Sequence, residues 1–323
     1  MKVFSGIRPT GEIHIGNYLG AIKQWIALQQ KHECIFCIVD WHAITTPYNT
    51  KKIQKYIQEV AVTYLAAGVN PKKSILFVQS QVKEHVELAW LLGTIMPVGE
   101  LSRMTQYKEK SQTLKESVGA GLLNYPILMA ADILLYQTDI VPVGRDQVQH
   151  VELSKEAARR FNQKFGKTFK FPEAYIPEIG AKIMSLQNPV KKMSKTDNPK
   201  GCIGLFDRPE IIQERMMAAV TDPGKEIKYD PNRKPGISNL LTIYSLFSKE
   251  SIKSLEKQFQ NKGYAEFKKS LTELLIRSLE PFRKAEKEFS KEKIKRILNS
   301  GAEKARKIAQ PTIIQARKKM GLS

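Results

Sequence analysis

Three short stretches carry residue types and spacings suited to chemistry on an anionic substrate. The first runs from Ile7 to Gly20 and reads I-R-P-T-G-E-I-H-I-G-N-Y-L-G. The N–H groups of a helix's first turn have no intrahelical partner and attract phosphate. Gly11 and Gly16 would let a planar or anionic ligand approach the backbone, and His14 and Asn17 add side-chain donors. A turn with an ordinary helix cap is the alternative. The second stretch, K-K-M-S-K-T-D-N-P, places Lys191, Lys192 and Lys195 beside the hydroxyls of Ser194 and Thr196, between Pro189 and Pro199. A compact cationic loop of this kind suits an anion that gains charge during reaction, and Met193 could anchor it on apolar surface; a solvated charge run is the alternative. In the third, Y-P-I-L-M-A-A-D-I-L-L-Y, a single carboxylate, Asp132, lies among Leu128, Met129, Ala131, Ile133, Leu134 and Leu135. An aspartate in such surroundings is costly unless paired or engaged by a ligand, and Met129 shares its helical face.

These groups need elements to hold them. Val3, Phe4 and Ile7 mark a short apolar strand before the first stretch, and Leu19, Ile22, Trp25 and Ile26 mark a helix after it. Strand-like Cys34–Asp40 precedes a helical pattern from Lys51 to Ala67, with Gly68 as its C-cap. Strand-like Ser74–Gln79 precedes a helix over roughly Lys83–Met96, and Asp139–Val143 precedes one from about Asp146 to Phe165. This alternation predicts a parallel sheet with helices on both faces, whose ligands gather beyond the carboxyl ends of the strands. The segment Thr105–Gly121 is polar and basic: either a solvated surface loop or a lid bringing Lys110 to a phosphate. The segment after Phe171 reads as a loop. From Asp207 onward only helical patterns remain, over about 209–220, 238–247, 251–258, 265–277, 280–298 and 301–320.

The chain has 323 residues, 42% hydrophobic and 26% charged, with a net charge of +20. These proportions fit a soluble globular protein of two domains, and the charge calls for a polyanionic partner, nucleic acid before an anionic membrane. From Lys249 to the end, 20 Lys and Arg face 9 Asp and Glu, so about half of the net charge lies in the last quarter. Such a helical tail suits a grip on nucleic acid. The opening residues lack the pattern of a signal peptide, and the most apolar window, Ala89–Val98, is too short and too interrupted by Gly93 and Pro97 to span a bilayer. Three cysteines give no disulfide framework, so the cytoplasm is the expected compartment; Cys34 and Cys37 read as buried strand residues, and no metal site is expected.

The H-I-G-N at His14–Asn17 resembles the HIGH signature of class I aminoacyl-tRNA synthetases, and the K-M-S-K-T at Lys192–Thr196 resembles their KMSKS signature. The wider text, S-G-I-R-P-T-G, C-I-V-D-W-H-A-I-T, G-A-G-L-L-N-Y-P-I-L-M-A-A-D-I-L-L-Y, V-P-V-G-R-D-Q and P-G-I-S-N-L-L, is similar to the bacterial tryptophanyl branch of that family over essentially the whole chain. The tyrosyl branch carries a Gln three residues before the corresponding aspartate, where this chain has Met129. A thioether packs against an indole but serves a phenol poorly, while Asp132 can accept the donor-only indole N–H.

The resemblance implies a Rossmann-like catalytic domain over 1–205 and an all-helical anticodon-recognition domain over 206–323, its last helix packing back on the first. It implies activation of L-tryptophan by ATP to tryptophanyl-adenylate, then transfer to tRNA(Trp). His14, Lys192 and Lys195 would be catalytic. Arg8, Pro9, Thr10, Gly16, Asn17, Lys110, Gly144, Arg145, Asp146, Ile183, Met193, Ser194 and Thr196 would complete the ATP site. Phe4, Val39, His42, Gln106, Met129, Asp132, Val141, Val143 and Gln147 would hold the amino acid. Mg2+ would arrive with ATP and need no dedicated protein site; the chain would be a homodimer. In departure from the bacterial tryptophanyl pattern, His14 stands where many of those enzymes have Thr, Arg8 and Arg145 replace a Gln and a Glu, Asn17 replaces the last His of HIGH, and Thr196 replaces the last Ser of KMSKS. A nucleotidyl-transferring enzyme of the pantothenate synthetase type and a non-catalytic tRNA-binding paralogue are the alternatives.

Overall fold

The apolar runs at the start of the chain form two central strands, β1 (Lys2–Ile7) and β2 (Glu33–Ile38), whose side chains alternate between two separate cores. Val3, Cys34, Phe36 and Ile38 enter one core; Phe4, Ile35 and Cys37 enter the other. The period of two along a strand makes that division. It also sends Cys34 and Cys37 to opposite faces, so the C-x-x-C cannot chelate or bridge.

In the computed structural model, which describes residues 1–114, 118–176, 182–194 and 198–322, five strands are ordered β3-β2-β1-β4-β5. The others are β3 (Ile75–Val78), β4 (Ile140–Pro142) and β5 (Glu173–Tyr175), and every pairing is parallel. Strand order reverses direction between β1 and β4, which opens the crevice where α/β sheets bind ligands. β5 falls in the stretch expected to be a loop. It is short and mostly exposed at an edge, and lacks the apolar run by which the other strands are recognised.

After β1 come a short α1 (Ile15–Asn17), a π-helical turn (Tyr18–Ile22) and α2 (Lys23–Leu28). The chain continues through α3 (Asp40–Ala43), α4 (Ile53–Ala67), α5 (Glu84–Gly93), α6 (Val98–Ser102), α7 (Thr105–Leu114), α8 (Ala120–Leu134) and α9 (Val148–Phe165). Gly68 closes α4 in the left-handed conformation, φ 107°, as its C-cap role demands. The polar segment after Thr105 is helical over α7 rather than a loop, with no buried residue, because helical propensity there needs no apolar stripe.

The remainder is α10 (Pro209–Met217), α11 (Pro235–Ser248), α12 (Ile252–Gln258), α13 (Tyr264–Glu288) and α14 (Lys291–Lys319). The expected breaks near residue 280 and at Gly301 do not occur. Pro281 and Pro311 lie inside helices, and the break comes at Phe289–Ser290, where the Ser290 hydroxyl accepts the Lys293 N–H and caps α14. α14 returns to the sheet and packs on β3. A Cβ at Gly301 would lie 1.8 Å from the Leu76 carbonyl oxygen, so only glycine permits that approach. The first core continues from the sheet into α10–α13 through Ile212, Ile237, Leu241 and Phe267.

Candidate active site

His14 ends the loop after β1 as the N-cap of α1. Its Nδ1 accepts the Gly16 N–H at 3.1 Å, while Asn17 Oδ1 accepts the His14 N–H at 3.1 Å, a reciprocal box that fixes both side chains. Gly16 is required: a Cβ there would come within 2.9 Å of the His14 ring and 3.7 Å of the Ile183 side chain. Gly11 faces open space, and Arg8 and Thr10 are exposed around the buried Pro9.

Backbone pairing draws the lysine-rich stretch to the same place. Ile15 N–H donates to Ile203, and Leu205 N–H donates to Ile13, so the histidine segment pairs with the chain just beyond the lysine loop. Ser185 N–H reaches Lys191 and Met193 N–H reaches Ile183, both within 2.9 Å, giving a narrow ladder with Lys192 opposite Met184. Met193 and Ile183 are buried in the first core, the anchoring expected of Met193, while Lys192 stays exposed. Asn239 of α11 locks this ladder from outside, accepting the Met184 N–H and donating to its carbonyl at 2.9 Å each. Lys195 and Thr196 lie outside the described residues; Ser194, the last described position before them, is half-buried.

On the opposite face, Phe4, Val39 and Val141 belong to the second core, with Met129 and Val143 packed against it and Asp132 in its midst. Asp132 is not capped within its own helix. Its Oδ1 accepts from Gln79 Nε2 at 2.7 Å and His85 Nδ1 at 2.6 Å, and its Oδ2 from His42 Nε2 at 2.8 Å. Burial pushes the Asp132 carboxyl up, but His42 and His85 outweigh it and hold the group below the usual carboxylate range.

A third group joins the two faces. The Lys110 ammonium of α7 sits over the Tyr125 ring, 5.1 Å from its centroid, and burial with neighbouring Arg8 pushes it down to about 8. Tyr125 hydroxyl and His150 Nε2 are 2.8 Å apart, and the His42 and Tyr125 rings meet edge-on. Burial, followed by Lys110 and His42, pushes His150 down to about 4, so it is neutral near pH 7. Gly144, Arg145 and Asp146 form an exposed turn after β4, where Gln147 donates to Asp146 at 3.0 Å; Gln106 is half-buried on the first turn of α7.

The described residues among those named from the sequence therefore gather around the carboxyl ends of β1, β2 and β4, with α7, α8 and the 183–194 ladder about them. Gln79, His85, Tyr125, His150 and Asn239 were not singled out. Gln79 directly follows β3 at its carboxyl end, the position where such sheets carry function, so that signal was available. His85 and His150 are single histidines within helical patterns and gave none. Among the described residues no cluster of His, Cys, Asp and Glu has the makings of a metal site, and no helix is long and apolar enough to cross a membrane.

A family model for class I tRNA synthetases (W and Y) matches residues 1–280. The tryptophan–tRNA ligase of Caldanaerobacter subterraneus subsp. tengcongensis is 52% identical over 322 residues, 99% of this chain and 98% of that one. That of Helicobacter pylori is 50% identical over 322 residues, again 99% and 98%. Among solved structures, tryptophanyl-tRNA synthetase from Mycoplasma pneumoniae superposes with a TM-score of 0.91 at 34% identity, covering 100% of this chain and 98% of that chain. The Campylobacter jejuni enzyme complexed with ADP and tryptophan gives 0.87 at 37% identity, with both chains fully covered.

Proposed function

The chain belongs to the class I tRNA synthetases of the tryptophan and tyrosine type, and from that premise we propose how its site works as a tryptophan–tRNA ligase. The enzyme activates L-tryptophan with ATP and transfers it to tRNA(Trp). The observation that carries the reading is the pairing of residues 13–15 with 203–205 and of 183–185 with 191–193, which draws His14 and Lys192 to one end of the sheet.

The tryptophan carboxylate attacks the α-phosphorus of ATP in line, forming tryptophanyl-adenylate and releasing pyrophosphate. The nucleophile is already an anion, so no general base is needed, and catalysis consists of positioning and charge stabilisation. Arg8, Pro9, Thr10, Gly16 and Asn17 cradle ATP with His14 at its phosphates. The backbone at Ile183 meets adenine, and Gly144, Arg145 and Asp146 lie by the adenosine. Lys192 and Lys195, with Met193, Ser194 and Thr196 shaping their loop and Lys110 from α7, neutralise the leaving pyrophosphate. Closure of the loop at Lys192 on ATP favours the transition state over the ground state. Mg2+ would arrive with ATP and would need no dedicated protein site.

Phe4, Val39, Met129, Val141 and Val143 enclose the indole, whose N–H meets Asp132. His42, Gln106 and Gln147 complete the amino-acid site. Met129 offers no strong acceptor to a phenol, which favours tryptophan over tyrosine. We assign residues 1–205 to catalysis and 206–323 to the anticodon, read through its single-stranded bases, and place the enzyme in the cytoplasm. A homodimer is the state we favour: Trp90 is 76% exposed and Val98 66% exposed beside an apolar cavity of about 460 Å³ lined by Ala89, Leu101, Ile127 and Leu128. An apolar patch of that kind fits a second copy. ATP–pyrophosphate exchange with each amino acid in turn, followed by charging of tRNA(Trp), tests the proposal. Exchange driven by tyrosine, or by no amino acid, would overturn it.

A further inference from the structure

The surroundings of Asp132 fix more than its charge. An ionised carboxylate only accepts, so His85 Nδ1 and His42 Nε2 must carry hydrogens where they meet it. His85 Nε2 lies 2.7 Å from the Tyr136 hydroxyl. His85 is thus held from both sides, by Asp132 at Nδ1 and by the Tyr136 hydroxyl at Nε2. All three are buried: His85 and Tyr136 are 0% exposed, and Asp132 is 1% exposed. Tyr136 is itself held by stacking on Phe4, ring centroids 5.5 Å apart. Gln79, also fully buried, must present its N–H2 rather than its oxygen to Oδ1, because two acceptors would repel.

A carboxylate has about four acceptor positions. Among the described residues Gln79 and His85 fill the two on Oδ1, and His42 fills one on Oδ2. One position remains, on Oδ2, and it suits a ligand that brings a single donor.

We propose that His85 and Gln79, with Tyr136 behind His85, are positioning residues that fix the Asp132 carboxylate so that one acceptor position on Oδ2 is left for the side-chain donor of the amino acid, which makes that donor a requirement for activation. The inference rests on the tryptophan reading above. Both are fully buried and act on the substrate only through Asp132 in this proposal. Without His85 the carboxylate can swing, or take a proton and present an O–H where an acceptor is needed.

The test compares tryptophan with 3-(1-benzothiophen-3-yl)alanine, whose sulfur replaces the indole N–H at nearly the same shape, in ATP–pyrophosphate exchange. The parent prefers tryptophan. His85→Leu lowers kcat/KM for tryptophan by about tenfold or more, through KM, and leaves the sulfur analogue within about twofold, because only one of them uses the held acceptor. His85→Asn, whose amide N–H2 occupies the place of Nδ1, keeps the preference within about threefold of the parent, as a retained hydrogen bond requires. Equal losses on both substrates in His85→Leu, or an Asn variant no better than the Leu variant, overturn the proposal. If His85→Leu does not fold, Gln79→Met and Tyr136→Phe take its place: a reduced preference in both supports the proposal, and an unchanged one in either overturns it. Failures of the underlying reading show in the parent alone, as no exchange with tryptophan or no preference over the analogue, and they remove the inference as well.

Discussion

Asp132→Asn probes the proposed amino-acid site, and the hydrogen bonds around it set the size of the effect. An amide has one acceptor atom where the carboxylate has two. The side chain will place its oxygen toward Gln79 and His85, the two-donor position, which leaves its N–H2 toward His42. His42 can move its own hydrogen to Nδ1 and accept. The three protein bonds survive as neutral ones, each weaker by about 1 kcal/mol, so folding stability falls by roughly 2–3 kcal/mol. The indole N–H has no such escape, since it meets another N–H. Loss of a bond to a charged acceptor, about 1.5–3 kcal/mol, adds to the cost of an unpaired buried donor, about 1–3 kcal/mol. A total near 3–5 kcal/mol corresponds to roughly two to four orders of magnitude in kcat/KM for tryptophan. ATP–pyrophosphate exchange measures it with tryptophan and ATP varied separately, at a temperature where denaturant curves show the variant folded. The loss should fall on tryptophan, with KM for ATP nearly unchanged. A drop of less than tenfold, or one that appears equally in the ATP dependence, would refute Asp132 as the acceptor for the side chain.

Lys192→Ala should lower the kcat of exchange by about 10²–10³, the effect of removing one donor from a developing charge, with little change in KM for tryptophan. Lys110, pushed down to about 8, loses its positive charge as pH rises through that value, so kcat/KM for ATP should be full near pH 7 and decline above pH 8; Lys110→Arg should abolish the decline. Gly301→Ala gains about 1 kcal/mol of helix propensity, yet its Cβ would sit 1.8 Å from the Leu76 carbonyl oxygen. Backbone cannot rotate away as a side chain can, so α14 must shift off β3, and a net loss of about 1–3 kcal/mol should appear as a lowered melting temperature. Trp90→Glu should convert a dimer to a monomer in sedimentation, with the described fold retained by circular dichroism.

The parts of the fold legible from sequence were those with strong periodicity. β1, β2 and β3 each interleave side chains for two cores, so their apolar runs were unmistakable, and α4 announced its end with Gly68. β5 was invisible because three mostly exposed edge residues carry no pattern at all. The helix ends around 289–291 were misplaced for a different reason. Pro281 and Gly301 are local breaking signals, but each is overridden by packing: Phe282 and Ala285 bury the turn after Pro281, and Gly301 is kept for the approach to Leu76. The break falls instead at Ser290, whose hydroxyl caps α14.

The site divides along the same line, between what lies within a few residues and what is assembled across the fold. His14, Gly16 and Asn17 are legible because their partners are each other, within four residues of chain. Asp132 announced only that it needed partners. It found them 90, 47 and 53 residues away, in His42, His85 and Gln79, and nothing in a single sequence couples those positions. Asn239 is similar: it lies 55 residues from the Met184 backbone that it clamps, in a helix whose other buried positions are mostly apolar. These distant polar contacts share a physical role. Each replaces water at a buried polar group with a donor or acceptor of fixed direction, and a group so satisfied can be held in one orientation. On the proposed reading, chemistry that depends on positioning more than on a general base needs that constancy at two points, the Asp132 carboxylate and the ladder that carries Lys192. In this chain Gln79 and His85 help to hold the first and Asn239 the second, and on that reading none of these three touches the reactants.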